Sequence, residues 1–404
     1  MKHISPFLPY VLLVVGLQLA IAVWVPVGLT VDHDYLVVNL VDHIQPRALV
    51  GTVSRYVGLD DSQFLLFTQA ALFTWLLIVA LLIATPREKR VPDRPDWHKC
   101  GLVFLFSFSA LPFITNAFSG FVDIFAAVTI VLSVWLLHRC DQSSSLALVG
   151  VVLLMCVATL IHEKSVFEVL ILSMWIAFMR SRRQAASAFA AYALFLAGYA
   201  FLASGNKAAN GDRTFAEYLG LATQFQSFLE HYSFNVVGVV FGGGLLWVLY
   251  ATLAVVFVRA RRAKDNPFPR LALVFGMLGL CFAPLLFAWD TSRLVAIIWL
   301  PTLLLLLEAD WQARYERTRI NSALLCAACL LQALIPPVLI YRHGAVALNC
   351  YASFVVQHFE RMQEADSWPL DREFEPVTLH LQHDHWPSDV SAVYACLSIH
   401  LVRP

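Results

Sequence analysis

Three consecutive ionisable residues, His162, Glu163 and Lys164, interrupt an apolar stretch near the middle of the chain, in the segment LIHEKSVFEV. A short turn between apolar segments is usually built from small or turn-forming residues, and ionisable groups close to hydrocarbon are costly unless they are paired or hydrated. This turn is therefore predicted to be functional. The segment HEKSV lacks the second histidine that a zinc-protease helix carries four positions after the first, which excludes that class of metal site.

Further acids and one arginine lie in other polar breaks of the chain. Asp32 and Asp34 belong to TVDHDYLVVNLVDHIQPR, Asp123 follows TNAFSG, and Asp290 and Arg293 belong to AWDTSR. A carboxylate can deprotonate an acceptor hydroxyl, and lysine or arginine can stabilise a departing phosphate. Together with the HEKS turn, these residue types suit glycosyl transfer from a lipid phosphate.

The composition places these residues in a membrane protein. Of 404 residues, 59% are hydrophobic and only 14% are charged, and the mean hydropathy is +0.69, which is too apolar for a soluble globular domain. The formal net charge is zero, and no basic block is interleaved with aromatic residues, so nucleic acid is excluded as a partner. Membrane lipids are the expected surroundings.

Apolar windows predict an all-α polytopic membrane protein with about eleven transmembrane helices. The stretch 101–137 is too long for one span, so Pro112 with TNAFSG predicts a turn inside it. The glycines at 242–244 lie within one predicted span, where they are interpreted as allowing close helix packing. The predicted spans are 7–29, 64–84, 101–114, 121–137, 146–161, 166–179, 186–204, 236–258, 271–289, 294–307 and 322–341.

The basic connections fix the predicted orientation. PREKRVPDRPDWHK, HRC, RSRR, RARRAK and DWQARYERTR all fall on one side when the spans are counted from a cytoplasmic N-terminus, as the positive-inside rule requires. The remaining connections then lie outside, where their charges predict a hydrated polar cavity. The residues predicted to share this extracytoplasmic face are Asp32, Asp34, Asp123, His162, Glu163, Lys164, Asp290 and Arg293.

The same topology divides the chain into a transmembrane domain, 1–341, and a small extracytoplasmic α+β tail, 342–404. Cys350 and Cys396 are the two cysteines of the predicted oxidising compartment and are predicted to pair, with two free buried thiols as the alternative. The other six cysteines are predicted to be reduced packing residues. The tail segment HLQHDHWPSD is interpreted as an exposed histidine-rich strand or loop rather than a metal site.

The order of these motifs resembles the integral-membrane glycosyltransferases of the GT-C superfamily and the related EpsG-like exopolysaccharide polymerases. The motifs are HDYLVVN in the first loop, SGFVDIFAAVTIVLSVWLL at the fourth span, the HEKS turn after the fifth, and DTSRLVAIIWLP late in the chain. HEKS is similar to the His-Glu-Lys motif of the dolichyl-phosphate-sugar transferases. In the EpsG-like family, a DY-containing outer loop precedes a histidine-containing turn like LIHEKS at similar spacing. The resemblance covers motif order over residues 30–300.

This resemblance implies a polyprenyl-phosphate or polyprenyl-diphosphate sugar donor, a glycan or lipid-linked acceptor, and inversion without a nucleotide sugar. It implies that a first-loop acid is the general base, with Asp34 and Asp32 both open to that role and with Asp123 or Glu163 next in line. No cofactor is required by the motifs, and a divalent metal, Mg²⁺ or Mn²⁺, is left open. The residues assigned to substrate binding are His162, Lys164, Arg293 and Asp290.

The predicted function is therefore a glycosyltransferase or repeat-unit polymerase of polysaccharide biosynthesis in the cell envelope, located in a bacterial inner membrane with the tail outside. The alternative is a polytopic transporter or flippase for a lipid-linked or polar substrate. A transporter should carry polar residues through the bilayer depth and often has internal repeats. The enzyme is favoured because the acids lie at one face and the two halves of the chain show no repeat.

Overall fold

Helices make up nearly all of the described structure, a computed structural model. It describes residues 8–25, 48–85, 97–117, 122–140, 144–203, 232–259, 267–286, 291–308, 322–335, 338–341 and 344–347.

Most helices of the first half match the predicted apolar windows, whereas the helix Ala48–Val57 has no counterpart among them. The helices of this half are α1 (Leu8–Trp24), α2 (Ala48–Val57), α3 (Asp61–Ala84), α4 (Trp97–Ser107), α5 (Ala110–Ala117), α6 (Asp123–Arg139), α7 (Ser145–Ile161), α8 (Ser165–Met179) and α9 (Arg182–Ala203).

The second half contains shorter helices, two 3₁₀ segments and one hairpin. They are α10 (Tyr232–Gly243), α11 (Leu246–Arg259), α12 (Phe268–Phe282) with 3₁₀ residues Ala283–Leu286, α13 (Thr291–Val295), 3₁₀ residues Ala296–Ile298, α14 (Trp299–Leu306), α15 (Ser322–Leu334), β1 (Val338–Tyr341) and β2 (Gly344–Ala347).

The helix lengths support a membrane protein. Ser62–Ala84, Arg182–Leu202 and Phe268–Leu285 are long and apolar enough to cross a membrane, and α4 with α5 makes a fourth candidate if this pair, bent by 50°, is one span. The other apolar helices of the described chain are 10 to 17 residues long. The total of eleven spans, the orientation and the kind of membrane stay predictions.

A single large hydrophobic core joins the helices. Trp75 of α3 meets Trp299 of α14 edge-on, with ring centroids 5.4 Å apart, and Trp175 of α8 lies beside Phe257 of α11 at 6.3 Å. Hydroxyl groups inside helices donate to the carbonyl four residues earlier, as Thr159 does to Met155 at 3.1 Å. Several buried hydroxyl groups are thereby satisfied within their own helices.

The break between α4 and α5 follows from Pro112. The turn predicted at TNAFSG agrees with the end of α5 at Ala117 and the start of α6 at Asp123, and the structure adds a bend at Phe108 and Ser109. Pro112 lies inside the first turn of α5, where a missing N–H is tolerated. Because proline has no N–H to offer the carbonyl four residues earlier, the Phe108 carbonyl oxygen needs another hydrogen-bond donor. The Gln332 amide of α15 supplies it.

The span predicted over 236–258 is interrupted, so the interpretation of its glycines needs correction. Gly244 adopts a φ of +52°, a left-handed conformation that ends α10, and α11 begins at Leu246. Close packing is also present: a Cβ on Gly244 would lie 3.0 Å from the Gln332 amide. Gln332 Oε1 accepts from the Leu245 N–H at 2.9 Å, so one side chain satisfies backbone groups at both helix breaks.

The last predicted span, 322–341, is wrong beyond Leu334, where α15 ends. Pro336 and Pro337 follow in the sequence and lack the N–H groups that a helix would need. Val338–Tyr341 is a strand that pairs antiparallel with Gly344–Ala347. The second strand belongs to the predicted tail, whose remaining residues, 348–404, lie outside the described ones.

Candidate functional site

Four residues from three distant parts of the sequence meet in one buried group. Asp123 is the first residue of α6, His162 and Lys164 lie in the turn between α7 and α8, and Arg293 lies in α13. Their exposed fractions are 3%, 2%, 6% and 4% respectively. Burial of this degree is rare for charged residues unless they are paired, so the pairing decides what the group can do.

The Asp123 carboxylate is the centre of this charged cluster, which we define as Asp123, His162, Lys164 and Arg293. Lys164 Nζ forms a hydrogen-bonded ion pair with Asp123 Oδ1, and Arg293 Nε lies 3.3 Å from Oδ2. Lys164 Nζ also donates to the Arg293 carbonyl oxygen at 3.3 Å. The predicted convergence of Asp123, Lys164 and Arg293 is therefore seen in the structure. The cations bind a common partner rather than facing lipid.

The backbone of the HEKS turn explains why Lys164 points inward. The His162 N–H still donates to Ala158 O at 2.9 Å, and the Ser165 N–H already donates to His162 O at 3.0 Å. The reversal between α7 and α8 is thus completed within three residues. Lys164 lies at the N-terminal end of α8, where the helix dipole disfavours a cation, so the nearby Asp123 carboxylate provides the compensation.

His162 has partners for both of its tautomers. Nδ1 accepts from the Lys164 N–H at 3.1 Å and lies 3.3 Å from the Glu163 carboxylate. Nε2 lies 3.1 Å from Arg293 Nη2 and 3.8 Å from Asp123 Oδ1. A neutral imidazole has one donor and one acceptor. With Nδ1–H on Glu163, Nε2 accepts from Arg293; with Nε2–H towards Asp123, Nδ1 accepts from the backbone.

Among the described residues, Glu163 and Glu168 are two further carboxyl groups that interact with the charged cluster. The Glu163 side chain is 23% exposed, so it stands at the edge of the cluster. Glu168 is only 2% exposed and lies one helical turn deeper in α8. Sequence reasoning missed Glu168. Two signals could have found it: an acid inside an apolar helix, and its spacing of four residues from Lys164, which places both on one helix face.

A second polar chain connects α1, α3 and α5 close to the start of α6. Gln18 Nε2 donates to Gln69 Oε1 at 3.1 Å, Gln69 Nε2 donates to Asn116 Oδ1 at 3.1 Å, and Asn116 Nδ2 donates to Val25 O at 2.6 Å. Asn116 is fully buried. These bonds hold the end of α1, which the acidic first loop follows in the sequence. They were not predicted from the sequence.

Several predicted features lie outside the described residues. These are the candidate bases Asp32 and Asp34, the substrate-binding candidate Asp290, and the proposed Cys350–Cys396 pair. No disulfide joins the six cysteines of the described chain. Within the described ranges, no group of three or more histidine, cysteine, aspartate or glutamate residues could hold a metal ion.

Comparisons with known proteins add no relatives. No protein-family model matches the chain, and neither the curated proteins nor the solved structures contain a significant match.

Proposed function

We propose that the protein is a membrane glycosyltransferase or repeat-unit polymerase. It transfers a sugar from a polyprenyl-phosphate-type lipid donor to a glycan or lipid-linked acceptor at the extracytoplasmic face. The observation that carries this proposal is the convergence of Lys164 and Arg293 on one buried carboxylate. Within the charged cluster two cations share one anion, and this excess of cationic side chains favours an anionic ligand. The motif order described above supplies the sugar chemistry.

The proposed reaction forms one bond and breaks another at the anomeric carbon. The acceptor hydroxyl loses its proton to a carboxylate base and attacks that carbon, and the bond from the carbon to the phosphate oxygen breaks. The electron pair leaves with the lipid phosphate. Lys164 and Arg293 stabilise the developing negative charge, an effect worth roughly 3–4 kcal/mol for a well-placed donor in a dry site.

The geometry favours different roles for the acids. Asp123 is engaged by Lys164 and Arg293, so it suits the task of holding both cations and is a poor proton acceptor. Glu163 is the described acid with access to solvent and with His162 beside it, which makes it the better base of the two. Asp34 and Asp32 remain proposed bases in the first loop.

The second candidate function, a transporter or flippase, has one observation in its favour. Glu168 places a carboxyl group one turn further into α8 than the turn residues, and buried acids inside membrane helices commonly line proton or ion pathways. A transporter would move its lipid-linked or polar substrate unchanged, whereas a glycosyltransferase consumes donor lipid. Mass spectrometry of the lipid after incubation with the protein in vesicles separates the two functions.

The proposal is tested by deleting the gene and extracting the lipids. A polyprenyl-linked sugar intermediate should accumulate, and the wild-type gene should clear it. Lys164→Gln and Arg293→Gln should leave a membrane-inserted protein that fails to clear the intermediate. The matched control is Lys99→Gln, because Lys99 is a half-buried lysine outside the charged cluster that donates to a helix-terminal carbonyl, Ala84 O, at 3.0 Å. Equal clearance by Lys164→Gln and Lys99→Gln would contradict the proposal.

A further inference from the structure

Glu168 combines burial with an unused hydrogen-bonding atom. It is 2% exposed, and its Oε2 has no hydrogen-bond partner among the described residues. An unpaired buried polar atom is costly and calls for a physical reason. Lys164 lies four residues earlier, so both side chains occupy one face of the helix. The charges of Lys164 and Asp123 both act on the Glu168 carboxyl group.

The groups around Glu168 come from each side of α8. Ser165 belongs to its own helix, Trp299 comes from α14, and both are polar neighbours of the carboxyl group. Cys281 of α12 faces it as well. Among the described residues, the titratable and charged groups that face Glu168 are therefore Lys164, Asp123 and Cys281.

The net charge of the buried ionisable groups points to a role for Glu168. With both carboxyl groups ionised, Asp123 and Glu168 balance Lys164 and Arg293, which is the state that burial favours. A bound phosphodiester adds one negative charge to this group. The net charge returns to zero if Glu168 takes up one proton from solvent. The negative charge of the ligand then replaces that of the Glu168 carboxylate, and Lys164 stays charged.

We propose that Glu168 is a positioning residue of the charged cluster: it balances Lys164 in the empty site and takes up one proton when a phosphodiester anion binds at Lys164 and Arg293. This inference rests on the proposed function, since it needs an anionic ligand at these cations. Proton uptake on binding means that affinity falls as pH rises. The decrease is tenfold per pH unit wherever one full proton is taken up.

Isothermal titration calorimetry of the full-length protein in a non-ionic detergent tests the inference. The probe is dihexyl phosphate, a phosphodiester with one negative charge and no group that titrates near neutral pH. Titrations in buffers of different ionisation enthalpy count the protons taken up per probe bound. The wild type should take up about one proton at the alkaline end of its stable range, as full linkage requires. Glu168→Gln should bind the probe with no uptake and no pH dependence.

Two controls assign the proton. Glu308→Gln removes a carboxyl group beyond α14, at the end opposite Arg293, and should keep the wild-type proton count. His162→Gln removes the other titratable group of the charged cluster: whatever its affinity, the protons taken up per probe bound should match the wild type, and loss of uptake in this variant instead would overturn the assignment to Glu168. If Glu168→Gln fails to fold, the number of protons that the wild type takes up and the pH dependence of its affinity decide the question. Binding of the probe without proton uptake overturns the inference and leaves the proposed function standing. Absence of binding by the folded wild type overturns both.

Discussion

The charged side chains at the two ends of α6 differ in burial and in their partners. At its start, Asp123 is buried and pairs with Lys164 and Arg293. At its end, Arg139 is half-buried, donates to Thr85 Oγ1 and lies over the ring of Trp135 at 4.6 Å. The ends are about 24 Å apart, from a rise of 1.5 Å per residue, so each lies in a separate environment.

The difference separates groups that stabilise helices from groups that compensate one another. Lys99 beside Arg139 donates to Ala84 O at the end of α3, and cations near helix C-termini are favourable. Those cations complete the helices and keep contact with solvent. The charged cluster is buried instead, and ions removed from water cost more than ion pairing usually returns. Function is the better explanation for retaining it.

The largest expected effect is the removal of the central anion. Asp123→Ala leaves Lys164 and Arg293 buried without their shared partner, and breaking a buried pair in this way costs about 3–5 kcal/mol. Thermal and denaturant unfolding in detergent measure the loss. Asp60→Ala is the matched control, because Asp60 also begins a helix but only caps it, accepting from the Gln63 N–H at 2.8 Å. Its expected cost is about 1 kcal/mol. Similar losses for both variants would show that Asp123 stabilises the protein as a helix-terminal residue rather than as the shared partner of two buried cations.

A double variant sharpens the same comparison. If Asp123 serves to compensate Lys164, then Asp123→Ala combined with Lys164→Met should be more stable than the sum of the single losses predicts. Residues that share an ion pair show coupling of about 0.5–3 kcal/mol. A full cycle of unfolding measurements gives this value, and an additive result would show that Lys164 does not depend on Asp123.

Gln332 tests whether burial alone, without charge, makes a polar side chain important for stability, because it is buried and uncharged. Gln332→Leu leaves Phe108 O and the Leu245 N–H without the partner they have now, at a cost of about 1–3 kcal/mol for each buried group left unsatisfied. Pro112→Ala restores an N–H four residues after Phe108 and should recover part of the loss in the Gln332→Leu background. No recovery in the double variant would contradict the assignment of the bend to Pro112.

The smallest effect is expected at the basic end. Arg139→Lys keeps a cation near Thr85 but loses the planar group over Trp135, a contact worth about 0.5–1 kcal/mol at partly exposed sites. The unfolding midpoint should shift little, and donor-lipid clearance in cells should be unchanged. A loss of clearance as large as that of Lys164→Gln would show that the basic end contributes to function.

Local patterns predicted much of the helix architecture. The windows 64–84, 146–161 and 166–179 correspond to α3, α7 and α8 within a few residues, because apolar runs bounded by polar clusters have few alternatives. The sequence also predicted that Asp123, Lys164 and Arg293 lie on one side of the membrane, since an alternating series of spans returns every second connection to one face. Glu168 was missed because a single acid in an apolar helix has no local partner that marks it.

The sequence by itself determined the apolar character of the chain and the placement of most helices, and it predicted which charged residues share one face. Only the tertiary structure decided the pairing of Lys164 and Arg293 with Asp123, the burial of Glu168 and the bridge that Gln332 makes between two helix breaks. The reason is distance along the chain. Hydrophobicity is encoded residue by residue, whereas an ion pair between residues 164 and 123 or a bond from residue 332 to residue 108 exists only once packing has brought the helices together.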